Sequence, residues 1–475
     1  MDKSVTLVGL DFGTTTSSAA IASAKLTCNT VTRRMELSYI EPRYYSDQVF
    51  TPFCGDQLDE ARLTDYLDLW LKEVHPAEVF GGGAMITGLA AKAANTAAFA
   101  RQIRRRLKDA VIAAVADPCL ESWLAFMGNC WELSRANPDR DFVNLDIGGG
   151  TTNIALGRDG EVLRTGSFFV GARHIQFEPG GYRIIALSSY VRPLFDQLGI
   201  PKGVGDRLDE TEVQRIVDWY LLTLESAVTR SFSGDADMIT ALHVQAPFDP
   251  GPSFDDCAVT LSGGVGQLVY RGLQSDTWPG TTEYGDLGID MARRLVQRPF
   301  WRDHLTRWTP TGLGRATLFG LLRHNTQVSG STVFLSDASL LPLSDLVIIG
   351  SVSPATPSNE VHRLVALAGR TARGACLRVD VGQFDRTAIR GLADQLRVAI
   401  ERQTTIEHIP LVLLVRENLG KVLGQLVTNW GRSPARIVAI DEIDARESQF
   451  ACIGKLHQGV LPVSFHGMNA FGARS

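Results

Sequence analysis

The chain has 475 residues, enough for roughly three domain-sized units with sizeable cores. Its 44% hydrophobic and 21% charged residues give the balance of a globular protein and exclude a disordered one. A net charge of −5, with no basic run longer than Arg104-Arg105-Arg106, argues against a nucleic-acid partner, because phosphate binding needs clustered Lys and Arg. The seven cysteines are scattered, form no CxxC pair and have no His at metal-ligand spacing, so they read as reduced thiols of a cytosolic protein. Met1–Leu10 lacks the pattern of a signal peptide, and no segment stays apolar for the ~20 residues of a membrane span. The expectation is a soluble intracellular chain with neither nucleic acid nor membrane as partner.

The first element is the apolar run Val5–Asp11, a buried strand that ends abruptly at an acid, a glycine and a row of hydroxyls. The chain then returns through Ala19-Ala20-Ile21, which predicts a hairpin with Gly and Thr at its tip. Residues from about 25 to about 115 read as an inserted α/β subdomain. Leu63, Leu67, Trp70, Leu71 and Val74 predict one helix there, Ala90–Leu107 a second, Val111–Val115 forms a short apolar run, and Gly81-Gly82-Gly83 reads as a plain turn. A further helix is expected over Leu120–Met127, begun just after Pro118.

Next the opening pattern recurs. Leu145-Asp146-Ile147-Gly148-Gly149-Gly150-Thr151-Thr152 matches Leu10-Asp11-Phe12-Gly13-Thr14-Thr15-Thr16 with one extra glycine, 135 positions later. A duplicated domain is the natural reading. A helix is expected over Thr211–Val228, and a third glycine turn, Ser262-Gly263-Gly264-Val265-Gly266, follows the strand Cys257–Leu261. Strands at Asp345–Gly350, Leu377–Val381 and Pro410–Val415, with a helix at Arg390–Gln403, complete an alternating α/β pattern.

An acid at a strand end, beside glycine-turned backbone and Thr hydroxyls, is in outline a phosphate and metal site. Glycines let the main chain approach an anion, N–H groups and hydroxyls donate to phosphate oxygens, and the carboxylate holds a hydrated divalent cation. Two such turns face to face would clamp a triphosphate, with Asp11 and Asp146 as metal ligands. One turn alone is what any β-hairpin tip wants; two in the same chain, followed by a third, are much harder to dismiss. Asp11-Phe12-Gly13 imitates the kinase metal triplet, but no Gly-rich loop, strand Lys or H-R-D precedes it, and Walker and Rossmann patterns are absent. Glu121 reads either as the acid that positions the attacking water or as an ordinary acid in a first helical turn. His174, His243, His304, His324 and His408 show no nucleophile partner and read as structural.

The order of Asp11–Thr16, Asp146–Asn153 and Ser262–Val265 resembles the phosphate-1, phosphate-2 and adenosine motifs of the actin-like ATPase superfamily. Within it the chain is similar to the ethanolamine ammonia-lyase reactivating factor family, on Met85–Lys92, Asp117–Ser122, Asn144–Asn153, Glu283–Gly288, Gln327–Thr332 and Asp441–Asp444. Phe12 departs from the small aliphatic residue usual in the first loop. The resemblance implies two duplicated ribonuclease-H-like lobes around a nucleotide cleft: 1–140 with the insertion, 141–340 with the second and adenosine motifs, and an extra α/β region over 341–475. It implies ATP and Mg²⁺ as ligands, ATPase activity, and ethanolamine ammonia-lyase as partner, from which inactivated cobalamin is released so that adenosylcobalamin binds. Carried over by position, Asp11, Glu121 and Asp146 would be catalytic and Asp11 and Asp146 would hold the metal. Nucleotide contacts would come from Gly13, Thr14, Thr15, Thr16, Gly148, Gly149, Gly150, Thr151, Thr152, Ser262, Gly263, Gly264, Val265 and Gly266. Its rivals are a small-molecule kinase of the same superfamily and a nucleotide-regulated assembly or scaffold protein. A cytoplasmic site is expected, with a homodimer and microcompartment association left open.

Overall fold

A computed structural model of the chain describes residues 4–55, 57–75, 78–107, 117–229, 243–251, 257–275, 277–382, 385–445 and 448–468. The Val111–Val115 run lies outside them. Strand β1 (Ser4–Phe12) turns through Gly13–Thr15 into antiparallel β2 (Thr16–Cys28), in register from Ser4↔Lys25 to Phe12↔Ser17. Strand β3 (Met35–Tyr45) lies antiparallel to β2, and β4 (Val79–Ile86) runs parallel to β1 on its other side. The segment expected as an inserted subdomain therefore supplies strands of this sheet. Apolar residues of helices α1 (Glu60–Trp70) and α2 (Thr96–Leu107) pack on it in one cluster with Val8, Leu10 and Phe12. Phe12 meets Phe99 edge-on at 4.9 Å and Trp70 at 6.1 Å, so the large residue in the first loop is an anchor for the hairpin tip.

Two sequence expectations need correction here. Gly81-Gly82-Gly83 is not a turn but the middle of buried β4. A Cβ at Gly81 would lie 2.5 Å from Thr326 Oγ1, and one at Gly82, whose φ is +111°, would lie 2.0 Å from the Val8 carbonyl oxygen. The strand lacks side chains because its neighbours occupy their space, which in sequence imitates a loop. The helix expected over Ala90–Leu107 is broken: a short turn of helix, Gly88–Lys92, ends at Ala93 in extended conformation, and α2 restarts at Thr96.

The second sheet repeats the first. β5 (Phe142–Ile147) and β6 (Thr152–Arg158) form the hairpin, β7 (Glu161–Phe168) continues the meander and pairs with the short β8 (Val244–Ala246), and β9 (Ala258–Ser262) runs parallel to β5. The orders β3-β2-β1-β4 and β7-β6-β5-β9 are the same arrangement, so the chain carries the duplicated lobes of the actin-like α/β fold. Helix α3 (Pro118–Asn129) starts where Asp117 Oδ1 accepts from the Leu120 N–H at 3.0 Å, with Pro118 in the first turn. Helix α4 (Glu210–Thr229), which holds the expected Thr211–Val228 helix, α5 (Gly263–Ser275) and α6 (Gly288–Gln297) bury their apolar stripes against the second sheet, and α7 (Ala316–His324) packs along α3.

Among the described residues the third sheet has eight strands: β10 (Gln327–Val328), β11 (Phe334–Leu335), β12 (Leu343–Val352), β13 (Ala375–Val379), β14 (Leu411–Val415), β15 (Ile437–Ile440), β16 (Ser448–Ile453) and β17 (Pro462–Met468). Their order is β10-β17-β16-β12-β13-β14-β15-β11, with β12 to β15 parallel at the centre and β14 and β15 wholly apolar and buried. Helices α8 (Ser358–Ala368), α9 (Arg386–Glu401) and α10 (Gly420–Val427) cover one face. α9 begins earlier than its apolar spacing suggests because Asp385 accepts from the Thr387 N–H at 2.9 Å and caps it.

Candidate functional site

Asp11 and Asp146 hold the same place in the two hairpins, each one residue before its strand ends, paired across the ladder with Ser18 and Asn153. Each tip is closed by the same bond: the Gly13 N–H donates to the Thr16 carbonyl at 2.9 Å, and the Gly148 N–H to the Thr151 carbonyl at 3.0 Å. The tips meet. A Cβ at Gly149 would lie 2.0 Å from Thr15 Oγ1, and one at Gly150 would lie 2.7 Å from Thr14 Oγ1. Glycine in the second tip is therefore what lets the two turns approach.

Between them lies a cavity of about 420 Å³ lined by Asp11, Glu121 and Asp146, by Gly13–Thr16 and Gly148–Thr151, and by Gly263, Gly264 and Val265. Most of the residues expected from sequence thus share one crevice. Three do not line it. Thr152, one residue past Thr151 along the strand, is fully buried and donates its hydroxyl to the Val170 carbonyl at 2.7 Å. Gly266 faces Leu261 and seats α5 on β9. Ser262 stands behind Asp146 and donates to its Oδ1 at 2.6 Å.

The three carboxyl groups are electrostatically costly. Burial, reinforced by the nearby charge of Asp146, pushes the Asp11 pKa up to about 7. Burial lifts Asp146 to about 6, opposed by the Ser262 hydroxyl. Glu121 is held well above the ordinary range by burial, then by Asp146 and Asp11, against hydrogen bonds from Thr87 and Asn153. Among the described residues no Lys, Arg or His lies within 4.0 Å to pair with any of them. Three convergent oxygen-donor groups without a fixed counter-charge suit a hard divalent cation such as Mg²⁺.

A buried polar network supports Asp146. Asn144 Nδ2 donates to Ser262 Oγ at 2.9 Å, while Asn144 Oδ1 accepts from Asn129 Nδ2 at 2.8 Å and Thr260 Oγ1 at 3.1 Å. Facing the tips, the 13-residue α5 presents its N-terminal N–H groups, and nothing lies within 4 Å of where a Gly264 Cβ would be. An anion is favoured at such a helix start. The Thr15 hydroxyl is buried with no partner, an open donor at the same crevice.

The sequence reading missed Thr87, Tyr284, Asp286, Gly314, Ala316 and Thr317, all on the cavity wall. Asp286 accepts from the Gly288 N–H at 2.9 Å and lies 3.6 Å from Arg173, which donates to the Tyr284 carbonyl at 3.1 Å. Asp286 stands in the Glu283–Gly288 segment, an acid between glycines that was the available signal.

The family model for the ethanolamine utilisation protein EutA matches residues 3–469. The chain belongs to the EutA family. Two EutA relatives, both named ethanolamine ammonia-lyase reactivase EutA, come from Salmonella typhimurium and Escherichia coli. They are 27% and 26% identical over 96% of this chain and 97% of their own. Among solved structures, the PPX-GPPA enzyme of Aquifex aeolicus is similar at 13% identity and a TM-score of 0.36, covering 67% of this chain and 89% of its own. In this EutA-family chain no helix of the described residues is long and apolar enough to cross a membrane.

Proposed function

We propose that this EutA-family chain is an ATP-dependent reactivating factor for ethanolamine ammonia-lyase, releasing inactivated cobalamin so that intact adenosylcobalamin can bind. The observation that carries the reading is the convergence of the two acidic hairpin tips on one cavity without a basic partner. Asp11 and Asp146 would hold Mg²⁺, which when bound neutralises charge on the β- and γ-phosphates. The N–H groups and hydroxyls of Thr14–Thr16 and Gly149–Thr151 would donate to the phosphate oxygens from opposite sides. The start of α5 at Gly263–Val265 would take the adenosine side. Preorganised donors of this kind stabilise charge that develops in phosphoryl transfer. Glu121, whose carboxyl burial holds well above its ordinary pKa, would orient the attacking water.

The site is tied to the third sheet. Asp117, the cap of the Glu121 helix, also accepts from the Gly467 and Met468 N–H groups of β17 through Oδ2, at 2.6 and 3.1 Å. Closure of the lobes on nucleotide would therefore move a helix anchored to a distant surface, a two-state element available for coupling to the lyase.

The test is to mix the chain with cyanocobalamin-inactivated ethanolamine ammonia-lyase, ATP, Mg²⁺ and fresh adenosylcobalamin. Activity should recover with the wild-type chain and not with Asp146→Ala. Recovery at the same rate without ATP, or with the variant, would contradict the reading.

A further inference from the structure

Three neighbouring strands of the third sheet each bring one metal-ligating side chain to a single point. Asp345 lies on β12, Cys452 on β16 and His466 on β17, and one ligand atom of each lies within 4.8 Å of the others. His466 Nε2 is 3.2 Å from Asp345 Oδ1, and Cys452 Sγ is 3.9 Å from the same oxygen. A tetrahedral zinc ion sets an N and an O ligand about 3.3 Å apart and an S and an O ligand about 3.5 Å apart, from its usual bond lengths. Shifts of a few tenths of an ångström would let all three groups share one ion.

The surroundings are built around this point. Asp345 has a φ of +55°, and the β12–β16 ladder shifts register between Leu343 and Leu346, so the backbone is bent where the carboxyl turns inward. Asp345 Oδ2 is held by Arg104 at 3.0 Å and Arg373 at 3.5 Å. The Asp345 N–H donates to Cys452 Sγ at 3.4 Å, and the Phe450 ring stacks on His466 at 5.1 Å. Outer partners of this kind fix ligand orientation in metal centres. Cys452 is buried, while the side chains of Asp345 and His466 keep 21% and 12% of their surface, a route of entry.

We propose that Asp345, Cys452 and His466 form a three-ligand site for one divalent ion of borderline softness, Zn²⁺ above all, with a fourth position open to water. The mixed oxygen, sulfur and nitrogen donors do not suit Mg²⁺ or Ca²⁺, which take oxygen. Charge balances on loading. Without metal, burial works against the His466 imidazolium, but Asp345 and Cys452 together, by hydrogen bond and charge, outweigh this and lift its pKa to about 9, and Cys452 is a thiol. One Zn²⁺ replaces the Nε2 proton and the thiol proton, so net local charge is unchanged. Arg104 and Arg373 stay on Oδ2; the His466–Asp345 hydrogen bond and the longer contact of Arg104 Nη2 with Oδ1, at 3.4 Å, are given up for bonds to the ion.

The experiment uses the full chain, stripped of metal and titrated with Zn²⁺ alone against a chromophoric chelator, and separately with Co²⁺. One Zn²⁺ should bind tightly per chain, and Co²⁺ should give a thiolate-to-metal charge-transfer band with intense tetrahedral absorption. Cys452→Ser should abolish that band and weaken Zn²⁺ by about 100-fold or more, the scale on which metal centres respond to lost support. His466→Gln should do the same with the far-ultraviolet spectrum and melting curve checking its fold, whereas Asp146→Ala should leave the band intact, separating this site from the nucleotide cavity. Failure of the wild-type chain to hold Zn²⁺, a Co²⁺ spectrum without the thiolate band, or unchanged Zn²⁺ affinity in both ligand variants would overturn the proposal.

Discussion

The two acidic hairpin tips share a ladder and a closing bond but not what stands behind them. Asp146 leans on Ser262, which is held by Asn144 and through it by Asn129, whereas Asp11 has no such hydroxyl behind it among the described residues. The consequence is electrical: burial lifts both carboxyls, but Asp146 to about 6 and Asp11 to about 7. The Ser262 hydroxyl favours the charged form of Asp146, while Asp11 bears both its burial and the charge of Asp146 with no such bond to oppose them. Duplication has copied the loop and not the polar layer beneath it.

The tips also differ in how closely glycine lets them approach, and this gives the largest expected effect. Gly149→Ala puts a methyl 2.0 Å from Thr15 Oγ1 and 3.2 Å from the Arg173 side chain, so it should force the tips apart and weaken Mg-nucleotide binding by about 100-fold, equivalent to ~3 kcal/mol. In the first tip, Gly13→Ala meets the Thr16 carbonyl at 3.2 Å and Thr87 Oγ1 at 3.8 Å and should cost about tenfold less. Equal losses in equilibrium titrations would remove this half of the comparison.

Next in size, Ser262→Ala takes away the support of Asp146 and leaves buried Asn144 Nδ2 without its partner, costing about 1–3 kcal/mol in denaturant melts. It should also move the acid limb of the ATPase pH profile upward, because the group that opposes the raised Asp146 pKa is gone. An unmoved limb would show that the layer behind Asp146 does not tune it.

Asp11→Asn probes the other tip through stability. The Asp11 pKa is about 7 when folded against an ordinary 3.8, so the folded chain without ligand binds the extra proton and loses stability as pH rises from about 4 to about 7. Asn does not ionise. The variant should match the wild type at pH 4 and exceed it at pH 8 by on the order of 2 kcal/mol in urea melts, a fraction of the full linkage because Asp11 and Asp146 are coupled. The smallest effect is expected from Thr15→Val: its hydroxyl has no partner, so stability should change by less than about 0.5 kcal/mol. Nucleotide affinity should still fall about fivefold, as befits one lost hydrogen bond to a charged group.

What the sequence made legible follows physical range. Asp11, Asp146 and their tips were readable because strand, acid, glycine and hydroxyl lie within a few positions, and the duplication displayed the pattern twice. The strand at Gly81–Gly83 was hidden because its space is filled by Thr326 and the Val8 backbone, which no local pattern encodes. Arg173 and Asp286 meet across 113 positions, and His466 meets Asp345 across 121, through pairing and packing alone. Thr152, Ser262 and Gly266 were placed at the cavity by motif membership, yet strand alternation and helix seating turn each of them to other work.

The most direct measurement is calorimetric titration with a non-hydrolysable ATP analogue, with and without Mg²⁺, on the wild-type chain, Asp11→Asn and Asp146→Asn. One Mg²⁺-dependent site per chain, with the Mg²⁺ dependence lost in each variant, is the expected result. Binding that is indifferent to Mg²⁺, or that survives unchanged in either variant, would contradict the claim that both tips grip one metal-nucleotide.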